Sequence, residues 1–336
     1  MGKKCVIDSV KLNVVHHPGR HCASTGIRDL VNFHGINFSE AMCFGIGAGL
    51  GLWYLDFEGL PVSRMMHVRS MDFEAQFFSR MGMAFEWEQT DDPAAGEAAL
   101  CHHLDNGRPA IVQTDIYYLP HYSGNTHFPG HLITVWGYDR TQSVFFITDT
   151  QFPDLIAVPF ADMRQTRFFR NAIFHLRGNL YAPKTVSMPR DMAEVVRNSV
   201  IDNSRALTED ASGVMGIQAM ERMRNELALW KDFNDWQWAC RFAYQVIEKR
   251  GTGGGGFRLM YADFLEEAAG YVAKIRDLGL SARMHETGLA WQRLALAFKT
   301  ASEKEQPELG EVRREIEAVT RAESAYHEVA LKGLSE

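Results

Sequence analysis

Ile27, Leu30, Val31 and His34 recur at three- and four-residue steps, and Gly35 follows where a helix C-cap is expected. The pattern predicts a helix over residues 23–34 with Cys22 at its N-terminus. The same period predicts helices over 73–80 and 95–105, the latter opened by "DDP" and closed by "NG". The runs "RPAIVQTDIYYLP", "HLITVWGYD" and "SVFFITD" read as strands, the last two joined by a turn, "DRTQ", at 139–142. Helices followed by a strand cluster predict an α+β fold with an antiparallel sheet.

Beyond about residue 188 the pattern is almost wholly helical, with amphipathic stretches over 191–203, 213–231, 236–249, 258–278, 282–302 and 308–331. No fixed period links them, so a helical bundle is the economical reading. The break falls in "NLYAPKTVSMPRD", where Pro183 and Pro189 bracket a polar connection. Two consecutive domains are therefore expected, 1–180 and 181–336. The apolar stripes of the last helices also suit a homodimer interface.

Composition narrows the class. Of 336 residues 46% are apolar and 23% charged, which suits a globular protein with a real core. No run approaches the roughly 18 apolar residues that cross a bilayer, and "MGKKCVIDSVKLNVV" lacks a signal-peptide pattern, so a cytoplasmic protein without membrane partners is expected. Val6 stands where a myristoylation motif needs Ser or Thr. The net charge of -7 argues against a nucleic-acid partner and favours cationic small molecules. The cysteines (Cys5, Cys22, Cys43, Cys101 and Cys240) are odd in number and widely spaced, which suggests neither a disulfide framework nor a paired-cysteine metal site.

Cys22 stands out because the first turn of a helix offers unpaired N–H groups and the positive end of the macrodipole, both of which favour thiolate. The bland alternative is a small buried hydrophobe. If the two final strands pair tightly about 139–142, His131 falls opposite Asp149 or Thr150. A carboxylate on one imidazole nitrogen then aims the other outward as a base. Packing of the Cys22 helix on that sheet end would complete a Cys-His-Asp set.

At these residues a resemblance enters. "GRHCASTGIRDLVNFHGINFSEAMCFGIGAGLGLWY", with "GRPAIVQTDIYYLP" and "GHLITVWGYD…FFITDT", resembles the N-terminal domain of the butirosin-biosynthesis acyltransferase (BtrH-like) family, itself similar to papain-like and bacteriocin-processing cysteine peptidases. The second half, with "GTGGGGFRLMYADFLEEA", resembles the helical domain that accompanies it. The resemblance implies a papain-like first domain in which Cys22 is the nucleophile, His131 the base and Asp149 its partner. Papain-like peptidases carry an oxyanion Gln about six residues before the nucleophile; here that place holds His16, followed by His17, either of which becomes a candidate donor beside the Cys22 backbone N–H.

Other motifs carry less. Gly45, Gly47, Gly49 and Gly51 alternate in "FGIGAGLGLWY", which fits no nucleotide loop; they suit close backbone packing, or, at Gly49, a wall for an acyl or pantetheine arm. "GTGGGGFR" offers Gly253 and Arg258 as an anion-binding nest for a phosphate or carboxylate, the alternative being an ordinary loop. His121, His127 and His131 lack a zinc signature, and no metal is expected. His102 and His103 suit a helix end, and Trp230, Trp236 and Trp238 suit core or pocket wall.

The expected activity is cofactor-free acyl transfer: Cys22 takes an acyl group from an acyl carrier protein or acyl-CoA thioester and passes it to a small amine, such as an aminoglycoside or polyamine, in natural-product assembly. A papain-like peptidase or amidohydrolase uses the same triad, and an inactive binding module is the third alternative.

Overall fold

A computed structural model describes residues 7–124, 126–171 and 174–335. Cys5 lies outside them. In chain order the elements are β1 (Ser9–Lys11), α1 (Cys22–Phe33), α2 (Glu40–Ile46), β2 (Leu50–Leu55), β3 (Met65–Arg69), α3 (Phe73–Arg80) and α4 (Pro93–Asp105). Then come β4 (Ala110–Asp115), β5 (Pro129–Asp139), β6 (Val144–Asp149), β7 (Phe152–Pro159), α5 (Phe160–Arg167) and β8 (Leu180–Tyr181). The remainder is helical: α6 (Met192–Thr208), α7 (Gly216–Glu226), α8 (Trp236–Glu248), α9 (Arg258–Ala268), α10 (Ala273–Asp277), α11 (Leu280–Ser302) and α12 (Gly310–Leu334). The fold class is α+β as expected, with an antiparallel sheet in the N-terminal part and helices in the C-terminal region.

The chain forms two compact units, but they are not consecutive. One comprises Met1–Glu40 and Met83–Met188, the other Ala41–Gly82 and Pro189–Glu336. The division expected at residue 180 therefore differs from this grouping in two ways: 41–82 packs with the helices, and a cut after residue 180 falls inside β8, which pairs with β4. The local pattern of 41–82 predicts its elements but carries no sign of which partner buries them.

In the first unit a six-stranded antiparallel sheet has the order β7-β6-β5-β4-β8, with β1 also on β5. One core, built from Leu100, Leu104, Val112, Ile133, Val135, Phe145, Ile147 and Met163, lies between the sheet and α4 and α5. Helix α1 packs on β4, β5 and β6. It approaches closely because Gly26 has no side chain: a Cβ there would lie 2.5 Å from Leu132 Cδ2.

The β5–β6 hairpin is wider than the sequence reading expects. Asp139 pairs with Val144, leaving residues 140–143 as the loop, and a bulge between Val135 and Gly137 shifts the register to Thr134↔Thr148. The Asp139 carboxylate accepts Gln142 N–H at 2.9 Å and stabilises the wider loop. His131 and Asp149 are thus diagonal rather than directly opposed.

In the second unit α11 packs against α8, α9 and α12, and the β2–β3 hairpin packs on α7 and α8. Trp230 and Trp291 are fully buried, whereas Trp238 is exposed. The segment read as one helix over 258–278 is two, α9 and α10, interrupted around Gly270. Among the described residues no helix is long and apolar enough to cross a membrane.

Candidate active site

Cys22 opens α1, and the turn before it is tied down from several directions. The His21 ring caps the helix, its Nδ1 accepting Ser24 N–H at 3.2 Å. The Glu40 carboxylate accepts His21 N–H at 2.8 Å, Arg20 N–H at 3.0 Å and the hydroxyls of Ser24 and Thr25 at 3.1 Å. Gly19 N–H donates to the Thr150 carbonyl at 2.6 Å, fastening the turn to the end of β6. One turn further along, Asp29 accepts from Arg28 and from His16, and the Thr148 hydroxyl reaches it from β6.

These ties bring the expected set together. His131 Nε2 lies 2.8 Å from Asp149 Oδ1, and the His131 ring also hydrogen-bonds the Cys22 side chain. With Nε2 on the carboxylate, Nδ1 is the ring nitrogen left for sulfur. Cys22 is 9% exposed, His131 5% and Asp149 1%, so solvent screens their charges weakly. Burial is the largest influence on His131 and favours the neutral ring, but the Asp149 charge and hydrogen bond, with Cys22, outweigh it and raise the pKa to about 10. Burial likewise opposes ionisation of Asp149, yet His131 and His121 hold its pKa well below the usual carboxylate range.

Two neighbours were not singled out by the sequence for this site. His121 Nε2 donates to Asp149 Oδ2 at 2.8 Å, so one carboxylate holds two imidazoles. The Tyr122 hydroxyl sits 3.5 Å from His131 Nε2, its pKa raised by burial and by the Asp149 charge. The available signal was local: "HYSGNTHFPGH" places two histidines just before β5, and His131 inside it. A second imidazole–carboxylate pair lies close by, with His127 Nδ1 2.5 Å from the buried Asp115 and its ring stacked between Tyr117 and Phe169. Among the described residues no group of three His, Cys, Asp or Glu side chains is arranged to hold a metal ion.

The remaining expected site residues do other work. His16 is no oxyanion donor: Nδ1 is 2.5 Å from Asp29 and Nε2 is 2.9 Å from the Phe152 carbonyl, so both nitrogens are committed. His17 is exposed, and its carbonyl accepts from Arg28. Gly49 belongs to the second unit, where a Cβ would lie 2.5 Å from the Phe44 ring; it serves packing, as do its alternating neighbours. The glycine loop before α9 does adopt positive φ from Gly253 to Gly256, but Gly255 N–H already donates to the Glu248 carboxylate at 2.8 Å. The nest is filled by the chain itself. Arg258 is fully buried, its guanidinium on Glu323 at 2.7 Å and on the Gly51 and Gly256 carbonyls, so it is paired within the chain and closed off from an external anion.

Comparison with known proteins follows the two halves of the chain. The family profile described as "Butirosin biosynthesis protein H, N-terminal" matches residues 21–150, which contain Cys22, His131 and Asp149. The profile described as "Domain of unknown function (DUF4872)" matches residues 161–330. A search of curated proteins finds no match. The chain belongs to the family that joins a butirosin biosynthesis protein H N-terminal domain to a DUF4872 domain.

Proposed function

We propose that this protein is a cysteine-dependent, amide-forming acyltransferase of natural-product biosynthesis. One observation carries the reading: a cysteine at a helix N-terminus hydrogen-bonds an imidazole whose far nitrogen rests on a buried carboxylate. A helix-borne cysteine against an antiparallel sheet is also the arrangement of papain-like enzymes, and we take the first unit to be of that type. The raised pKa of His131 suits a thiolate–imidazolium pair as the resting state.

In the first half-reaction the Cys22 thiolate attacks the thioester carbonyl of an acyl carrier protein or acyl-CoA, and the His131 imidazolium protonates the departing thiolate. An acyl-cysteine and a neutral His131 remain. In the second, an amine attacks the acyl-cysteine, His131 takes a proton from the attacking nitrogen, and the Cys22 thiolate leaves as the amide forms. Asp149 holds the ring in place through both steps. The Cys22 backbone N–H, at the positive end of α1, faces the developing oxyanion. The net charge of -7 suits a cationic acceptor such as an aminoglycoside or polyamine.

Intact-mass measurement after exposure to an acyl-CoA or an acylated carrier protein tests the reading. An adduct on Cys22 that an amine discharges, and that is absent in Cys22→Ala, supports transfer. Discharge by water alone, or cleavage of peptides, makes the protein a hydrolase. No adduct with any thioester sinks the acyltransferase assignment.

A further inference from the structure

We propose that His121 is a positioning residue of the Cys22 site: by occupying the second oxygen of Asp149 it fixes the plane of that carboxylate, and through it the ring of His131. The inference rests on the assignment of Cys22, His131 and Asp149 as the reacting set.

The geometry is specific. His131 Nε2 takes Oδ1 of Asp149 and His121 Nε2 takes Oδ2, each at 2.8 Å. A carboxylate turns easily about its last torsion, because that torsion is broad rather than staggered. A donor on one oxygen leaves this rotation loosely constrained; donors on both remove it. The His121 ring is itself held, edge-on to Phe152 with centroids 4.9 Å apart and tilted against Tyr122 at 4.8 Å. It is a fixed donor.

Its other nitrogen decides between a positioning and a catalytic role. His121 Nδ1 is buried without a hydrogen-bond partner among the described residues, and the whole side chain is only 10% exposed. With Nδ1 buried and Nε2 on the carboxylate, the ring is placed to act through Asp149. The charged and titratable groups around that carboxylate are Cys22 from α1, His131 from β5, and His121 and Tyr122 from the segment before β5. Of these, His121 and His131 supply its two N–H donors.

The test is the pH dependence of iodoacetamide alkylation at Cys22, mapped by peptide mass in the full-length protein, for wild type, His121→Phe and His121→Gln. Phe keeps the ring but removes the donor; Gln returns an N–H near the place of Nε2. In His121→Phe the apparent thiol pKa is expected to rise by about one unit, so alkylation on the acid limb slows about tenfold. His121→Gln is expected to stay close to wild type. A His121→Phe profile superimposed on wild type overturns the positioning role while leaving the Cys22 assignment standing. An ordinary thiol profile in wild type overturns both.

Should His121→Phe fail to fold, the wild type still decides the matter. Nitrogen-15 spectra of labelled histidine are expected to place a proton on His121 Nε2. A proton found on Nδ1 alone would leave Nε2 nothing to donate to Asp149 and would refute the proposal.

Discussion

Glu40 Oε1 accepts the backbone N–H of His21 at 2.8 Å, and the same carboxylate takes Arg20 N–H and the hydroxyls of Ser24 and Thr25. A residue at the start of α2 thereby sets where the turn before Cys22 begins. Substitution Glu40→Ala is expected to cost about 1–3 kcal/mol, since several partly buried donors lose their acceptor together. Glu40→Gln keeps an acceptor oxygen and costs less. Thermal unfolding gives the stability, and the rate of Cys22 alkylation shows whether the turn has moved. Equal alkylation in wild type and a folded Glu40→Ala would remove Glu40 from the site.

In the proposed mechanism the elevated pKa of His131 sets the alkaline edge of activity. Its folded value of about 10 lies above the ordinary imidazole value of 6.5, so the charged ring contributes stability below that lower value and loses it as pH rises through about 10. With Asp149→Asn, burial acts against a much weaker opposing influence. The alkaline limb of kcat/KM is expected to move down by more than one pH unit, about tenfold in rate on that limb. A limb that stays in place would mean another group governs it.

Much of the fold was legible because helical period is local. Helix α1 and most of the C-terminal helices fall within a few residues of the pattern in the chain. The hairpin register was not, because it depends on how Asp139 closes a wider loop and on a bulge at Trp136, neither of which alternation reveals. Cys22 was named from its place at a helix start, and His131 and Asp149 from the hairpin that joins their strands, with the family resemblance pointing to the same three residues. His16 and Arg258 were misread for a common reason: their partners, Asp29 with the Phe152 carbonyl, and Glu323, are set by tertiary packing. His121 lies between elements, where no period marks it.

Buried charge in the second unit makes a sharper stability prediction. Burial disfavours the Glu323 carboxylate, but Arg258 and His327 outweigh it and hold the pKa down to about 2, with Trp291 N–H also on Oε1 at 2.6 Å. Glu323→Ala strands the guanidinium and is expected to cost about 3–5 kcal/mol by denaturant unfolding. Because the folded value is depressed from 4.5, the contribution is present above that value and fades as pH falls toward 2. Unchanged stability in Glu323→Ala would mean that water already serves Arg258.

Fragments cut at the family boundaries should misbehave. Residues 161–336 lack 41–82, which pack among the helices, and residues 1–160 lack β8, which pairs with β4. Each fragment alone is expected to show poor dispersion in proton NMR and early proteolysis. A cooperative unfolding transition from 161–336 by itself would contradict the interleaved arrangement.

The interleaving also bears on how the chain is made. Residues 41–82, rich in apolar sequence such as "FGIGAGLGLWY", leave the ribosome well before the helices that bury them. Through most of synthesis that stretch stays uncovered while the strands of the first unit are completed, a nascent-chain hazard that calls for holding by chaperones. Heterologous yield should therefore depend on translation speed and chaperone supply more than on the stability of the finished molecule.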